Sequence, residues 1–278
     1  AKFIRISDSA LELTDNRRGF PEILSDPGVA IELIHNKLNK PNFDENWIND
    51  IKNFHLEKIK KVLDKEVNKT GDDNKINPNL IFEKLKNIID DDFIGIADGG
   101  DILSFARVGL HSKYYMDSGT FGCLGVGIPY AIAASKVFKE KKIICVTGDG
   151  SFGFNAMEID TAVKNNSNIC VIISNNGGWN IEKHDQRLNY GNRVYATSLA
   201  YSDYAALAKS LGAYGVRVED PEKLEQALSE ALNNTPSVVD VITSSTILSS
   251  DAIKGLGFVP RYQALDVWDD MEIEFRKK

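Results

Sequence analysis

Two short polar segments, each directly after an apolar run, carry the residues best suited to chemistry in this chain of 278 residues. Gly148-Asp149-Gly150 follows the apolar run 143–146, and Asn175-Asn176 follows the apolar run 169–173. The two polar segments are separated by 24 residues. Glycines let a backbone approach a charged group closely. An aspartate and an asparagine offer the oxygen ligands that Mg²⁺ prefers. Together these residues predict a metal-bridged diphosphate site.

The two apolar runs explain how segments so far apart along the chain could meet. Continuous apolar runs of this length are typical of buried parallel strands. Open α/β sheets bind their ligands beyond the carboxyl ends of such strands. We therefore expect Asp149 and Asn176 to lie at neighbouring strand ends, on one edge of a sheet.

A competing motif overlaps the first segment. Residues 148–153 also spell G-x-G-x-x-G after a strand, which is the pattern of a dinucleotide-binding turn. A carboxylate at Asp149 would repel the pyrophosphate unless a cation intervened. The next strand ends in Asn175-Asn176, where that fold places an acid for the ribose hydroxyl. A nicotinamide site and a ligand-free glycine turn stay open here, but the metal–diphosphate site uses all of these residues.

Composition excludes some classes of function. The net charge of −7 and the pI near 5.2 argue against a nucleic-acid partner. No apolar run reaches the roughly 18 residues of a membrane span. The cysteines Cys123, Cys145 and Cys170 lack metal-ligand spacing, so we expect reduced thiols in a cytoplasmic protein.

Secondary-structure patterns divide the chain into four parts. Residues 1–38, with a strand at 3–7 and a helix at 29–38, have the pattern of the end of another α/β domain. We therefore expect the chain to be the carboxyl-terminal part of a longer protein, or a separate subunit. Residues 39–76 predict a polar linker with a helix at 51–67, and residues 246–278 an irregular tail.

Residues 77–245 alternate strands with helices, including helices expected at 77–89, 119–138 and 154–164. This alternation predicts an α/β domain with a parallel six-stranded sheet and helices on both faces. The segment 98–101 ends the first strand of that sheet, and we expect it to line the same crevice as Asp149.

The two-part segment from Gly148-Asp149-Gly150 to Asn175-Asn176 resembles the signature of thiamine-diphosphate enzymes. Residues 117–127 are similar to the glycine-rich stretch of 2-hydroxyacyl-CoA lyases and oxalyl-CoA decarboxylase. Residues 152–158 are similar to the helix after the metal site in that group and in acetolactate synthase-like proteins. The resemblance covers residues 77–245 and implies the carboxyl-terminal, pyrophosphate-binding domain with its thiamine-diphosphate-binding fold. Residues 1–38 look, more weakly, like the end of the family's middle domain.

The resemblance also implies the site. Asp149, Asn176 and the Gly178 carbonyl correspond to the protein ligands of Mg²⁺. Leu124 corresponds to the apolar residue that holds the cofactor's pyrimidine folded over its thiazolium, and His184 with Glu182 would face the substrate as catalytic residues. The cofactor-binding residues implied are Asp98, Gly99, Gly100, Gly122, Cys123, Leu124, Gly148, Asp149, Gly150, Ser151, Phe152, Asn176, Gly178 and Trp179.

The implied activity makes or breaks a carbon–carbon bond next to a carbonyl. Its substrate would be a 2-keto acid, a 2-hydroxyacyl-CoA or an aldehyde. Such enzymes use a glutamate from a pyrimidine-binding domain, which no segment here resembles. We therefore expect that domain or subunit as a partner, in a homodimer or tetramer, and expect this chain alone to be inactive. A non-catalytic cofactor-binding module and a NAD-dependent oxidoreductase are the alternatives.

Overall fold

The computed structural model describes residues 4–14, 21–38, 44–63 and 68–253. These residues fall into two compact units, divided between residues 66 and 67. The expected strand at 3–7 begins outside the described residues, and the expected helix at 51–67 ends outside them. The part of the predicted tail from residue 254 onward also lies outside them.

The smaller unit pairs two short parallel strands. Strand β1 (Arg5–Ser7) lies beside β2 (Glu22–Leu24), with helix α1 (Ala10–Thr14) between them in sequence. Helix α2 (Pro27–Lys37) begins where Asp26 accepts a hydrogen bond from the Val29 N–H at 2.9 Å, and proline at its first position needs no such partner. Helix α3 (Glu45–Leu63) occupies much of the predicted linker.

The larger unit alternates strands and helices as the sequence predicts. Its elements in chain order are α4 (Pro78–Ile88), β3 (Ile94–Asp98), α5 (Asp101–Gly109), β4 (Tyr114–Met116), α6 (Gly127–Val137), β5 (Ile143–Gly148), α7 (Asp149–Asn155), α8 (Glu158–Lys164), β6 (Ile169–Asn175), α9 (Asn180–Asn189), α10 (Tyr204–Ser210), β7 (Tyr214–Val218), α11 (Leu224–Asn233) and β8 (Ser237–Ile242).

The strands form one six-stranded sheet in the order β4-β3-β5-β6-β8-β7, and every pair in it is parallel. The predicted parallel six-stranded sheet is therefore confirmed. Strand β4, at the edge, is the one that the sequence patterns did not locate. It has three residues, all exposed, so it lacks the long apolar run by which a buried strand is recognised.

Helices cover both faces of the sheet, as predicted. Every residue of β6 is buried, and its side chains alternate between two apolar clusters. One cluster contains side chains of α4, α5 and α11. The other contains side chains of α6, α8 and α10.

Three expected helices have wrong boundaries, and one of them, expected at 51–67, already begins at Glu45. The helix expected at 119–138 begins only at Gly127, after a 3₁₀ turn at Gly119–Phe121. The reason is that Gly119, Gly122 and Gly125 have φ of 59°, 59° and 87°, a left-handed conformation that cannot continue a right-handed helix. The helix expected at 154–164 is two helices, α7 and α8, and α7 already begins at Asp149.

The connections of β3 and β5 create the crevice that the sequence predicts. From β3 the chain continues into α5 on one face of the sheet, whereas from β5 it continues into α7, whose Phe152 packs into the cluster on the other face. The two chain paths therefore diverge between these adjacent strands. Such a switch point is where open α/β sheets bind ligands.

A buried carboxylate fixes the glycine-rich segment to this crevice. Asp98, at the end of β3, accepts hydrogen bonds from the backbone N–H groups of Gly125 at 3.2 Å and Gly127 at 2.9 Å. Burial raises the pKa of Asp98, and these two hydrogen bonds oppose that rise. The carboxylate therefore satisfies two backbone donors that would otherwise be buried without partners.

Replacing Asp98 by asparagine should lower the free energy of unfolding by about 1–3 kcal/mol. The asparagine amide has one neutral acceptor oxygen, whereas the carboxylate has two charged oxygens, one for each N–H group. Urea unfolding followed by circular dichroism measures this loss. The matched control is Asp160→Asn, since Asp160 is exposed on α8 and its replacement should change the free energy of unfolding by less than about 0.5 kcal/mol. Equal stabilities for the two variants would contradict the role given to Asp98.

Candidate functional site

The ends of three adjacent strands, β3, β5 and β6, open into one cleft. It is lined by residues from the segment after each strand end, together with Leu124 from the glycine-rich segment. The lining residues are Gly99, Gly100, Asp101, Ile102, Leu124, Gly148, Asp149, Gly150, Ser151, Asn176, Gly178, Trp179, Asn180, Ile181 and Glu182. The lining includes Asp149 and Asn176, and Gly99 and Gly100 from the segment after β3.

Asp149 is the buried acid of this cleft. Its side chain is 2% exposed, one carboxylate oxygen accepts a hydrogen bond from the Gly150 N–H at 3.0 Å, and the other accepts from the Gly178 N–H at 3.0 Å. Burial raises the pKa of Asp149 to about 6, although these backbone hydrogen bonds favour the charged form. The carboxylate thus joins the end of β5 to the segment that follows β6.

That segment, residues 176–178, presents two oxygens without partners. Asn176 is buried, and its side-chain Oδ1 accepts no hydrogen bond from the described residues. The Asn176 carbonyl accepts from the Tyr201 hydroxyl at 3.0 Å, and the Gly177 carbonyl accepts from the Leu199 N–H at 2.8 Å. By contrast, no N–H or side chain in the described parts of the chain donates to the carbonyl of Gly178.

The oxygens of Asp149, Asn176 and Gly178 fit a small divalent cation. A buried amide oxygen without a donor is costly unless a ligand completes it, and the Asp149 carboxylate in the same cleft favours a cation as that ligand. Hard cations such as Mg²⁺ take carboxylate, amide and carbonyl oxygens. Within the described ranges no group of three or more His, Cys, Asp or Glu side chains is arranged to hold a metal, which leaves this mixed oxygen set as the candidate.

Bare backbone lines the cleft on either side of these oxygens. A Cβ at Gly150 would lie 2.5 Å from a ring carbon of Trp179, and one at Gly100 would lie 2.6 Å from a methyl carbon of Ile181. No L side chain fits at either position without moving its neighbour. Glycine at these positions lets Trp179 and Ile181 pack directly against the backbone that lines the cleft.

An acidic wall formed by Asp101, Asn180 and Glu182 completes the cleft. The Asn180 amide donates to Asp101 at 2.9 Å. Burial raises the pKa of Glu182, and the nearby carboxylates of Asp101 and Asp185 raise it further. Sequence reasoning missed Ile102, Asn180 and Ile181. The available signal was their position in the first turns of α5 and α9, which follow Gly99-Gly100 and residues 176–178, respectively.

Five residues expected at the site do not line this cleft. Asp98 lies behind it with its carboxylate bonded to the glycine-rich segment, and Phe152 is a core residue at 1% exposure. Gly122 and Cys123 are exposed on that segment. His184 is buried on α9, and burial, together with the charges of Arg187 and Lys183, lowers its pKa to about 4.

Comparison with known proteins assigns the chain to a family. The model of the thiamine pyrophosphate enzyme C-terminal TPP binding domain matches residues 101–241, just over half of the chain. This match includes residues 148–153, which also satisfy the dinucleotide pattern.

Three relatives illustrate the similarity. A probable acetolactate synthase of Mycobacterium bovis is 35% identical over 176 residues, which is 62% of this chain and 32% of that protein. The 2-hydroxyacyl-CoA lyase 2 of Bos taurus is 30% identical over 180 residues, 62% of this chain and 28% of that protein. YdaP of Bacillus subtilis, a putative thiamine pyrophosphate-containing protein, is 35% identical over 173 residues, 60% of this chain and 30% of that protein.

The matched region thus spans about a third of the length of these relatives. It contains Asp149, Asn176 and Gly178, three residues that line the cleft. This chain belongs to the thiamine pyrophosphate enzymes, and residues 101–241 are its C-terminal TPP-binding domain.

Proposed function

We propose that this chain supplies the cofactor-binding half of an enzyme that makes or breaks a carbon–carbon bond next to a carbonyl. Thiamine diphosphate is the cofactor of the family, and Mg²⁺ is its usual partner metal. The similarity to an acetolactate synthase and to a 2-hydroxyacyl-CoA lyase supports a 2-keto acid, a 2-hydroxyacyl-CoA or an aldehyde as substrate.

The observation that carries this proposal is the buried Asn176 Oδ1, which, like the Gly178 carbonyl, has no donor among the described residues, in the cleft that Asp149 also lines. These three oxygens would hold Mg²⁺, with diphosphate oxygens as its further ligands. The Ser151 N–H in the first turn of α7 would donate to the diphosphate, whereas the Gly150 N–H donates to Asp149. When bound, thiamine diphosphate supplies the electron sink that lets a bond next to a carbonyl break or form.

Leu124 and Glu182 carry the remaining roles within the cleft. Leu124, partly exposed in the cleft wall, supports the folded shape of the cofactor from below. Glu182 holds a proton more firmly than an exposed glutamate because burial and two nearby carboxylates raise its pKa. Its place in the cleft wall therefore suits it to give a proton to the substrate.

A pyrimidine-binding domain from another subunit completes the site in this proposal. Exposed apolar side chains surround the glycine-rich segment, including Phe121 at 92% exposure, Phe154 at 61% and Tyr130 at 39%. Such a patch favours an interface, which supports a homodimer or tetramer. The three free cysteines support a cytoplasmic setting. None of the described helices has both the length and the hydrophobicity to span a bilayer.

A non-catalytic cofactor-binding module is the second candidate. It would use the same metal oxygens but would not need the acidic wall of the cleft. The two candidates are separated by turnover of the chain assembled with a pyrimidine-binding domain. An enzyme turns over, and Glu182→Gln removes that turnover while the thiamine diphosphate affinity stays unchanged. A non-catalytic module binds thiamine diphosphate without turnover.

Thiamine diphosphate should bind this chain only with Mg²⁺, and Asp149→Asn should weaken that binding by more than about tenfold. Even a residue that merely supports a metal ligand contributes about that much. Calorimetric titration with Mg²⁺, and then with EDTA, measures both effects. Trp179 emission gives a second signal, since its ring contacts Gly150.

The control for this titration is Asp160→Asn, which removes an exposed carboxylate from α8 and should leave the affinity unchanged. Equal affinities for the Asp149 and Asp160 variants would contradict the proposed metal site. So would an absence of binding both to this chain and to the enzyme assembled with its pyrimidine domain.

We propose that His184 supports α9 as a buried neutral side chain, with Leu124 and Glu182 remaining as the residues that act in the cleft. Its Nε2 has no hydrogen-bond partner among the described residues. A buried cationic imidazole would be costly there, in keeping with its lowered pKa.

This role predicts a pH dependence. His184 titrates near 6.5 when unfolded and near 4 when folded, so below pH 6.5 the unfolded chain binds a proton that the folded chain does not. The stabilisation is complete above pH 6.5 and is lost as the pH falls toward 4, at up to about 1.4 kcal/mol per pH unit. The difference in unfolding free energy between the wild type and His184→Gln should therefore shrink between pH 7.5 and 4.5. A difference that stays constant would rule this role out.

A further inference from the structure

Tyr201 contacts the metal segment through both parts of its side chain. Its hydroxyl donates a hydrogen bond to the Asn176 carbonyl at 3.0 Å. Its ring packs against Gly177, where an added Cβ would lie 2.6 Å from a ring carbon. Gly177 has φ of 69°, so the chain turns at the residue that the ring covers, between the two candidate metal ligands.

Backbone pairing holds the rest of the metal segment to the strand-like residues 197–199. Gly178 and Ser198 form an antiparallel bridge, the Leu199 N–H donates to the Gly177 carbonyl, and the Trp179 N–H donates to the Thr197 carbonyl at 2.9 Å. Pairing of this kind depends little on side chains. At Asn176, however, the carbonyl is held by a side chain, that of Tyr201.

The chain directly after Tyr201 is anchored to the sheet. Asp240 on β8, which is fully buried, accepts from the Asn175 amide at 3.0 Å and from the Tyr204 N–H at 3.1 Å. The same Asn175 amide also donates to the Ser202 carbonyl at 3.1 Å. The Tyr201 hydroxyl is therefore presented to Asn176 from a rigid base.

We propose that the Tyr201 hydroxyl is a positioning group that makes the metal site selective for Mg²⁺ over Ca²⁺. The inference rests on the proposed function, because it assigns the metal to Asp149, Asn176 and Gly178. Holding the Asn176 carbonyl fixes the backbone from which Asn176 Oδ1 and, two residues on, the Gly178 carbonyl project. Mg²⁺ demands near-ideal octahedral geometry at about 2.0–2.1 Å, whereas Ca²⁺ accepts irregular shells at about 2.3–2.6 Å. A loosened segment thus disfavours Mg²⁺ more than Ca²⁺.

The surroundings of Tyr201 allow the hydroxyl to be removed by itself. The side chain is 40% exposed, and the Lys75 ammonium lies 4.9 Å from the ring centroid. Tyr201→Phe keeps the ring against Gly177 and beneath Lys75 and removes one oxygen. Tyr195→Phe is the matched control, since Tyr195 is 83% exposed.

The experiment is calorimetric titration of thiamine diphosphate into each protein with Mg²⁺ and, separately, with Ca²⁺. In Tyr201→Phe the affinity with Mg²⁺ should fall about threefold to tenfold, the usual effect of one lost hydrogen bond. The affinity with Ca²⁺ should change by less than about twofold, so the ratio of the two affinities falls. Tyr195→Phe should leave both affinities as in the wild type. Mn²⁺ bound in place of Mg²⁺ should give a broader electron paramagnetic resonance spectrum in Tyr201→Phe.

Each of the remaining outcomes contradicts either the inference on Tyr201 or the proposed function. Equal losses with both ions mean that Tyr201 serves only the stability of the fold, and unchanged affinities mean that its hydroxyl has no role at the metal. Either result refutes the inference and leaves the proposed function intact. Wild-type protein that binds thiamine diphosphate equally with and without a metal refutes the proposed function, and the inference with it.

Discussion

The buried charge of Asp149 is the constraint on which the rest of the site depends. A carboxylate at 2% exposure has lost nearly all of its hydration, and its hydrogen-bond donors are backbone N–H groups of Gly150 and Gly178. Neutral donors offset only part of the cost of burying a charge. The raised pKa of the group records the remainder. A divalent cation bound between Asp149, Asn176 and Gly178 would remove that cost, so the fold stores part of the driving force for metal binding in its own core.

The parallel sheet makes this arrangement possible without long connecting loops. Parallel strands bring all their carboxyl ends to one edge, so residues far apart in sequence become neighbours without long loops. Asp149 and Asn176 directly follow strands β5 and β6, and the glycines Gly99 and Gly100 directly follow β3. Because α5 and α7 leave on opposite faces, neither of these two helices covers the point where the strand ends meet.

Features encoded by adjacent residues could be predicted from the sequence, and features made by distant ones could not. The apolar runs of β5 and β6 identify buried strands, and the polar residues directly after them are those of the proposed metal site. Strand β4 escaped because three exposed residues at an edge carry no pattern. The glycine-rich segment was expected to be helical because periodicity does not reveal left-handed glycines. Tyr201 was missed because its contact with Asn176 crosses 25 residues of chain.

The acidic wall and the metal oxygens come from different parts of the polypeptide. Asp101 and Glu182 belong to the first turns of α5 and α9, whereas Asp149 and Asn176 directly follow two central strands. Residues in a first helical turn can change without disturbing the strands behind them, since their backbone is fixed by the helix. Descendants of one ancestral domain could therefore keep the same cofactor while exchanging the wall that meets the substrate. In such a lineage, sequence identity across the strand ends would persist long after the substrates had diverged.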